Sequence, residues 1–248
     1  KGAGMFARVR LLLIMLITAL PAMASNLQAS RNGDFSHYTL ALAWQPGFCK
    51  LSQSCQMPLN SDGALGLLGL WPSLPASLQE QGVNDESWRL KSCFYFSHSV
   101  DDPQLSEEVR ARLARAIPKL LDDDLISSVF VKHAQCFGFA GNDYFAKALQ
   151  LRQSVLDSAF GSYLNSKQGS MVDPAAVRLA FTQAFGAASG AALSLRCQRD
   201  AQQRNVLTSL EIQISAQRLN AFPAEASLWH PGGAEASDTC YGAIWIAN

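Results

Sequence analysis

Residues 37–44, HYTLALAW, alternate large side chains with smaller ones. The large residues are Tyr38, Leu40, Leu42 and Trp44. A period of two predicts a β-strand that is buried on one face. Residues 64–71, ALGLLGLW, predict a second, buried strand, and Pro72 and Pro75 end it. The stretch between the two, residues 45–63, carries Pro, Gly, Asn and Asp and predicts a loop.

The middle of the chain has the periodicity of helices. Ser, Asn and Asp residues stand where helix caps are expected, and a proline follows Asp173 at a first helical position. The predicted segments are 76–81, 84–91, a helix from Ser106, residues 125–136, a long helix from Asn142 to Leu164, and a helix from Asp173 to Phe185. Residues 125–136 would place Lys132, His133 and Cys136 on one face.

The end of the chain returns to strand patterns, over residues 191–197, 206–215 and 241–247. Strands at both ends with helices between them predict an α+β fold with a central, mainly antiparallel sheet and several packed helices.

The beginning of the chain differs in character from the rest. Residues 5–24 combine Arg8 and Arg10, an apolar stretch and an Ala-Met-Ala end, which is the pattern of a secretory signal peptide. An uncleaved anchor is the alternative, but the apolar stretch is short for a membrane span. We therefore predict extra N-terminal residues 1–4, a signal peptide over 5–24, a single domain over 25–248, a periplasmic or secreted location and no stable membrane insertion after cleavage.

Charge argues against a general affinity for polyanions. The chain has 20 Lys and Arg against 20 Asp and Glu, and removing Lys1, Arg8 and Arg10 leaves 17 against 20, a net charge of −3. A protein of this sign has no global positive field. Any contact with nucleic acid must therefore be local.

Six cysteines follow the predicted cleavage site: Cys49, Cys55, Cys93, Cys136, Cys197 and Cys240. An even number in an oxidising compartment favours three disulfides. Spacing alone suggests only that Cys49 and Cys55 could close a small loop. No C-x-x-C spacing occurs and the chain has four histidines, so we expect no metal site.

Three segments carry a resemblance to a known family. HYTLALAWQPGFC (37–49), GLWPSLP (69–75) and FVKHAQCFGF (130–139), in this order, resemble the ribonuclease T2 family, especially its bacterial periplasmic branch. The resemblance implies an α+β fold and cleavage of single-stranded RNA through a 2′,3′-cyclic phosphate without a metal or cofactor. It also implies disulfides between Cys93 and Cys136 and between Cys197 and Cys240.

The resemblance assigns roles to the second motif and shows what it has lost. His133 matches the general acid, and Lys132 matches the cation that stabilises charge on the reacting phosphate. Val129 stands where the family has a catalytic glutamate, and Ser128 stands at the leading histidine. In the first motif, Leu68 replaces the histidine that acts as general base, and leucine cannot accept a proton.

The same resemblance implies binding residues. Trp71 matches the tryptophan that stacks on a base, and Phe130 matches the aromatic residue beside the glutamate. Ser73 stands where the family often has an acidic residue for base selection, which puts a purine preference in doubt.

Three hypotheses follow. The first is an exported monomer that binds single-stranded RNA or nucleotides and is strongly impaired as a nuclease. The second is an active endoribonuclease in which a water, His37, His98 or His230 replaces the missing base. The third is a non-catalytic interaction scaffold whose groove is filled by Leu68 and Val129.

Overall fold

The computed structural model describes residues 27–52, 55–58, 61–120, 124–230 and 238–248. The predicted signal peptide and residues 1–4 lie outside this part of the chain, and the single-domain boundary stays a prediction. No helix among the described residues is both long enough and apolar enough to cross a membrane.

The strands and helices follow the predicted α+β order. The strands are β1 His37–Trp44, β2 Cys55–Gln56, β3 Leu65–Pro72, β4 Lys119–Leu120, β5 Ser170–Val172, β6 Leu193–Arg199, β7 Asn205–Ser215 and β8 Ile244–Ile246. The α-helices are α1 Gln45–Leu51, α2 Ala76–Glu80, α3 Asp85–Lys91, α4 Glu107–Ala116, α5 Leu125–His133, α6 Gly141–Leu156, α7 Ala159–Ser166 and α8 Pro174–Phe185.

One sheet organises the described part of the molecule. Its order is β3-β1-β7-β8-β5, with β6 also paired to β7. The pairings are antiparallel except for a parallel contact between β7 and β8, so the predicted mainly antiparallel sheet is confirmed. β2 and β4 form a separate two-stranded pair.

The alternation along β1 separates the two faces of the sheet. Tyr38, Leu40 and Leu42 are buried in the hydrophobic core. His37 and Thr39 point to the opposite face, because successive side chains of a strand alternate. The apolar pattern of residues 37–44 therefore also determines which residues face away from the core.

Side chains from two helices hold the edge strand β3. Tyr144 on α6 donates to the carbonyl of Leu70 at 2.8 Å and accepts from its amide at 3.2 Å. The indole of Trp88 on α3 donates to the carbonyl of Pro72 at 3.0 Å. These bonds satisfy backbone groups that an edge strand would otherwise leave unpaired, and they fix the end of β3 that carries Trp71.

The predictions for residues 45–63 and 142–164 were wrong. Residues 45–51 form helix α1 and not a loop, because Pro46 occupies a first-turn position that suits a helix. The long helix predicted over 142–164 breaks between α6 and α7, where Ser158 caps α7 by accepting from the amide of Gly161. Asn142 lies inside α6 and accepts from the amide of Ser106.

The three predicted disulfides are present: Cys49–Cys55, Cys93–Cys136 and Cys197–Cys240. The bridge from Cys136 positions the end of helix α5. It ties the segment just after α5 to the 3₁₀ turn Ser92–Tyr95 that follows α3. The end of α5 is thereby held against the turn that follows α3.

Candidate active site

A cavity of about 520 Å³ lies between the polar face of the sheet and helices α3 and α5. It brings together residues from both motifs and from strands late in the chain. Its lining residues are His37, Thr39, Trp71, Pro72, Ser73, Leu74, Asp85, Trp88, Arg89, Ser92, Lys132, His133, Ser194, Arg196, Glu211 and Gln213.

Strand register builds the sheet wall of the cavity. Thr39 on β1 is paired with Trp71 on β3 and with Gln213 on β7, so these three residues form one row. Glu211 lies two residues before Gln213 on β7 and is paired with Ser194 on β6. The row faces away from the core and lines the cavity.

Helix α5 builds the opposite wall. Its cap is Asp124, whose carboxylate accepts from the amides of Ile126 and Ser127. The helix ends at His133, so Lys132 and His133 lie in its last turn. The predicted helix over 125–136 is therefore too long, and Cys136 lies in the separate 3₁₀ turn Gln135–Phe137. Lys132 and His133 both line the cavity.

His133 is buried although it lines the cavity. Its Nδ1 lies 3.2 Å from the hydroxyl of Ser92, and its ring stacks on Trp71 with centroids 5.2 Å apart. Burial, and to a smaller extent the charge of Lys132, lower the pKa of His133 to about 3. At neutral pH the imidazole of the free protein is therefore uncharged.

A second histidine, His37, lines the same cavity. Its Nδ1 lies 2.9 Å from the hydroxyl of Ser36, and its ring stacks on Trp229 with centroids 5.2 Å apart and planes 12° apart. Burial lowers the pKa of His37 to about 4, against the opposing effect of Asp85. The sequence named His37 only as one of three histidines that could replace the base, and did not place it at the site. The one sequence feature that pointed to it is its alternation with the buried Tyr38.

Two cations of the lining are available to a phosphate. Among the described residues, neither Lys132 nor Arg89 takes part in an ion pair. Arg196 differs, because its guanidinium pairs with Glu211 through two contacts, the shorter at 2.6 Å. The cavity thus has a local source of positive charge in a chain whose formal net charge is zero.

The three positions that lost family residues lie outside the lining as the structure describes it. Leu68 is half-buried and has no partner across β1, because the register shifts between Ala41 and Leu42 and leaves it in a bulge. Val129 is buried in the core, and Ser128 is exposed. The cavity is open and is not filled by Leu68 and Val129.

The indole of Trp71 lies close to position 129. Its indole Nε1 is buried without a hydrogen-bond partner among the described residues. A methyl group added to Gly69 would touch both this Nε1 and Cγ1 of Val129, the latter at 3.1 Å. The unpaired N–H therefore lies beside the position where the family has a carboxylate.

Phe130 does not join Trp71 in the cavity. It is buried, and its ring packs near Tyr144 and Phe145 with centroids 6.2 and 6.4 Å away. The prediction that Phe130 contacts RNA finds no support in this placement, because the helix turns that side chain into the core. Within the described ranges, no cluster of His, Cys, Asp and Glu could hold a metal ion.

Comparison with known proteins agrees with this arrangement. The Ribonuclease T2 family profile matches residues 35–224. Ribonuclease I of Escherichia coli K12 is 30% identical over an aligned length of 250, and the match covers 88% of this chain and 92% of that protein.

Solved structures share the fold. Ribonuclease MC1 from bitter gourd seeds has a TM-score of 0.55 at 18% identity, covering 85% of this chain and 100% of that one. RNase NT in complex with 5′-AMP has a TM-score of 0.59 at 15% identity, covering 86% and 98%. The SF11-RNase of Nicotiana alata has a TM-score of 0.58 at 15% identity, covering 87% and 100%. With its ordered motifs, its sheet and its cavity, the chain belongs to the ribonuclease T2 family.

Proposed function

We propose that this protein is an exported member of the family that binds single-stranded RNA in the cavity and cleaves it only weakly. The observation that carries the proposal is the composition of the lining. His133, Lys132 and Trp71 lie together in the cavity, whereas the positions of the family base and glutamate are Leu68 and Val129.

Binding is supported by one aromatic surface and two cations. Trp71 is half-buried and lines the cavity, and stacking of an aromatic residue on a nucleobase is worth about 1–3 kcal/mol per base. Lys132 and Arg89 line the same cavity and can neutralise phosphate charge. Relatives of the same fold have been solved with 5′-UMP, 5′-GMP and 5′-AMP.

Weak cleavage follows from the chemistry of the two replaced positions. Loss of a positioned general base costs on the order of 10²–10⁴ in rate. The low pKa of His133 adds to this, because a general acid must carry a proton before it can donate one. Phosphate binding should raise that pKa, since an anion favours the imidazolium.

Export is supported by residues 5–24 and by the three disulfides. Disulfides persist in oxidising compartments and are rare in the cytosol. Each described cysteine is disulfide-bonded.

A direct test uses the mature chain, residues 25–248, and a fluorescein-labelled RNA of mixed sequence. We expect saturable binding that quenches tryptophan fluorescence, with slow release of fragments ending in cyclic phosphate. His133→Ala should abolish the cleavage, and His230→Ala, which alters an exposed residue outside the lining, should not. Absence of binding would favour the scaffold hypothesis, and rapid cleavage would show an active endoribonuclease.

The active endoribonuclease is the second candidate, and one observation favours it. His37 lines the cavity opposite α5, so a second imidazole is present although the family position is leucine.

A further inference from the structure

We propose that His37 is the proton acceptor for the ribose 2′-hydroxyl in whatever cleavage this protein performs. The inference rests on the proposed function, since it requires RNA to lie in the cavity. It assigns the base to β1, in place of the lost residue of β3.

Two contacts fix the orientation of the His37 ring. The Ser36 hydroxyl contacts Nδ1 at 2.9 Å, and Trp229 covers one face of the ring. When the hydroxyl accepts from Nδ1–H, Nε2 carries the lone pair. In the described part of the chain Nε2 has no hydrogen-bond partner, so it is available to a substrate hydroxyl.

The sheet register places His37 beside the other reactive groups. The carbonyl of His37 accepts from the amide of Ser73 at 2.8 Å, and Thr39, two residues on, is paired with Trp71. Two residues along a strand span about 7 Å. Trp71 in turn stacks on His133. His37 and His133 therefore both lie near Trp71 and line the same cavity, which can admit a ribose and its phosphate.

The proposed step balances without a further reactant. Nε2 of His37 takes the proton of the 2′-hydroxyl while the 2′-oxygen forms a bond to phosphorus. The bond from phosphorus to the 5′-oxygen breaks, and protonated His133 gives its proton to that oxygen. The products are a 2′,3′-cyclic phosphate and a 5′-hydroxyl, and water returns both histidines to their starting states.

The other two histidines are worse placed. Both ring nitrogens of His98 contact backbone carbonyls, those of Phe96 at 2.9 Å and Val131 at 3.1 Å. His230 is exposed, and it does not line the cavity as far as the structure describes it. His37 is therefore the histidine to test.

The experiment separates the inference from the proposed function. Binding is measured with a 2′-deoxy oligonucleotide, which lacks the attacking hydroxyl, and cleavage with the ribo-oligonucleotide of the same sequence. His37→Phe keeps a ring to stack on Trp229 and removes the nitrogen. We expect it to bind the deoxy probe within about twofold of the unaltered protein while losing on the order of 10²-fold in cleavage rate. His230→Ala is the matched control and should change neither.

Chemical rescue guards against a structural explanation. His37→Ala leaves a space for imidazole, and added imidazole should restore part of the cleavage by this variant. The effect of imidazole on the unaltered protein is the buffer control. Imidazole should speed cleavage by His133→Ala no more than it does in this control. Cleavage by His37→Phe equal to that of the unaltered protein would overturn the inference, as would binding with no cyclic-phosphate product at all. Failure of the unaltered protein to bind the probe would instead overturn the proposed function.

Discussion

The imidazole of His133 stacks on the indole of Trp71, with ring centroids 5.2 Å apart and planes 27° apart. One ring belongs to the retained catalytic motif and the other to the motif that lost its histidine. The contact covers His133 on one side and is part of the burial that lowers its pKa. The first motif therefore influences the pKa of the histidine in the second motif, although the first motif has lost its own histidine.

Trp71→Ala should raise the pKa of His133 toward its ordinary value of 6.5, because removing the indole admits water to the ring. The same variant should weaken RNA binding by about 1–3 kcal/mol through lost stacking. Histidine ring signals in an NMR titration measure the first effect, and fluorescence anisotropy of labelled RNA measures the second. Trp71→Phe, which keeps an aromatic ring, should show much smaller changes; equal changes in both variants would contradict the stacking role.

Folding stability should fall as pH is lowered from about 6.5 toward 4. The folded pKa values of His37 and His133 lie near 4 and 3, below the ordinary value of 6.5. Below pH 6.5 the unfolded chain therefore binds protons at these histidines that the folded chain does not bind. Stability from these groups is complete above pH 6.5 and is lost on the way down to the folded values, at a cost of about 1.4 kcal/mol per pH unit and histidine.

Urea unfolding at pH 7 and pH 5 measures this loss. His133→Phe should reduce the difference between the two pH values, and His230→Ala should leave it unchanged, since His230 is exposed. The same pH dependence in all three proteins would show that burial of His133 does not govern acid sensitivity.

Val129→Thr should be tolerated better than an ordinary buried Val→Thr change. The substitution keeps the volume and offers a hydroxyl beside the unpaired Nε1 of Trp71. A new hydrogen bond contributes about 1 kcal/mol, which offsets part of the cost of burying a hydroxyl. Val109→Thr, also buried and helical, is the matched control. Equal losses in the free energy of unfolding would mean that the indole gains no partner.

Lys132→Gln should weaken RNA binding and reduce the slope of log K against log salt by about one. It should also raise the pKa of His133, because the positive charge of Lys132 disfavours the imidazolium. Arg110→Gln removes a charge from an exposed position on α4, outside the lining, and should leave both unchanged. A salt slope that does not respond to Lys132 would place the phosphate elsewhere.

Local sequence patterns predicted the elements better than the assembly of the site. The alternation from Tyr38 to Trp44 and the cap at Asp173 each determine a short stretch, and β1 and α8 form where these predict. Helix α1 was missed because Pro46 suits both a loop and a first helical turn. The break before α7 depends on the capping bond of Ser158. The sequence pattern for this cap is short, and the helical pattern of the flanking residues obscured it.

The site depended on pairings that no local pattern encodes. The family resemblance gave Trp71, Lys132 and His133, because their motifs are contiguous. His37 joins them through strand register and through Trp229, which docks from the far end of the chain. The bulge at Leu68 likewise appears only when β3 is aligned with β1.

The most direct measurement compares the rate at which the mature chain and its Leu68→His, Val129→Glu variant form cyclic-phosphate ends, alongside the affinity of each for the deoxy probe. We expect both proteins to bind the probe, and the variant to cleave at least about 10²-fold faster, since it regains the base of the first motif and a carboxylate one helical turn before His133. Equal rates in two folded, probe-binding proteins would contradict the claim that the residues at positions 68 and 129 limit cleavage.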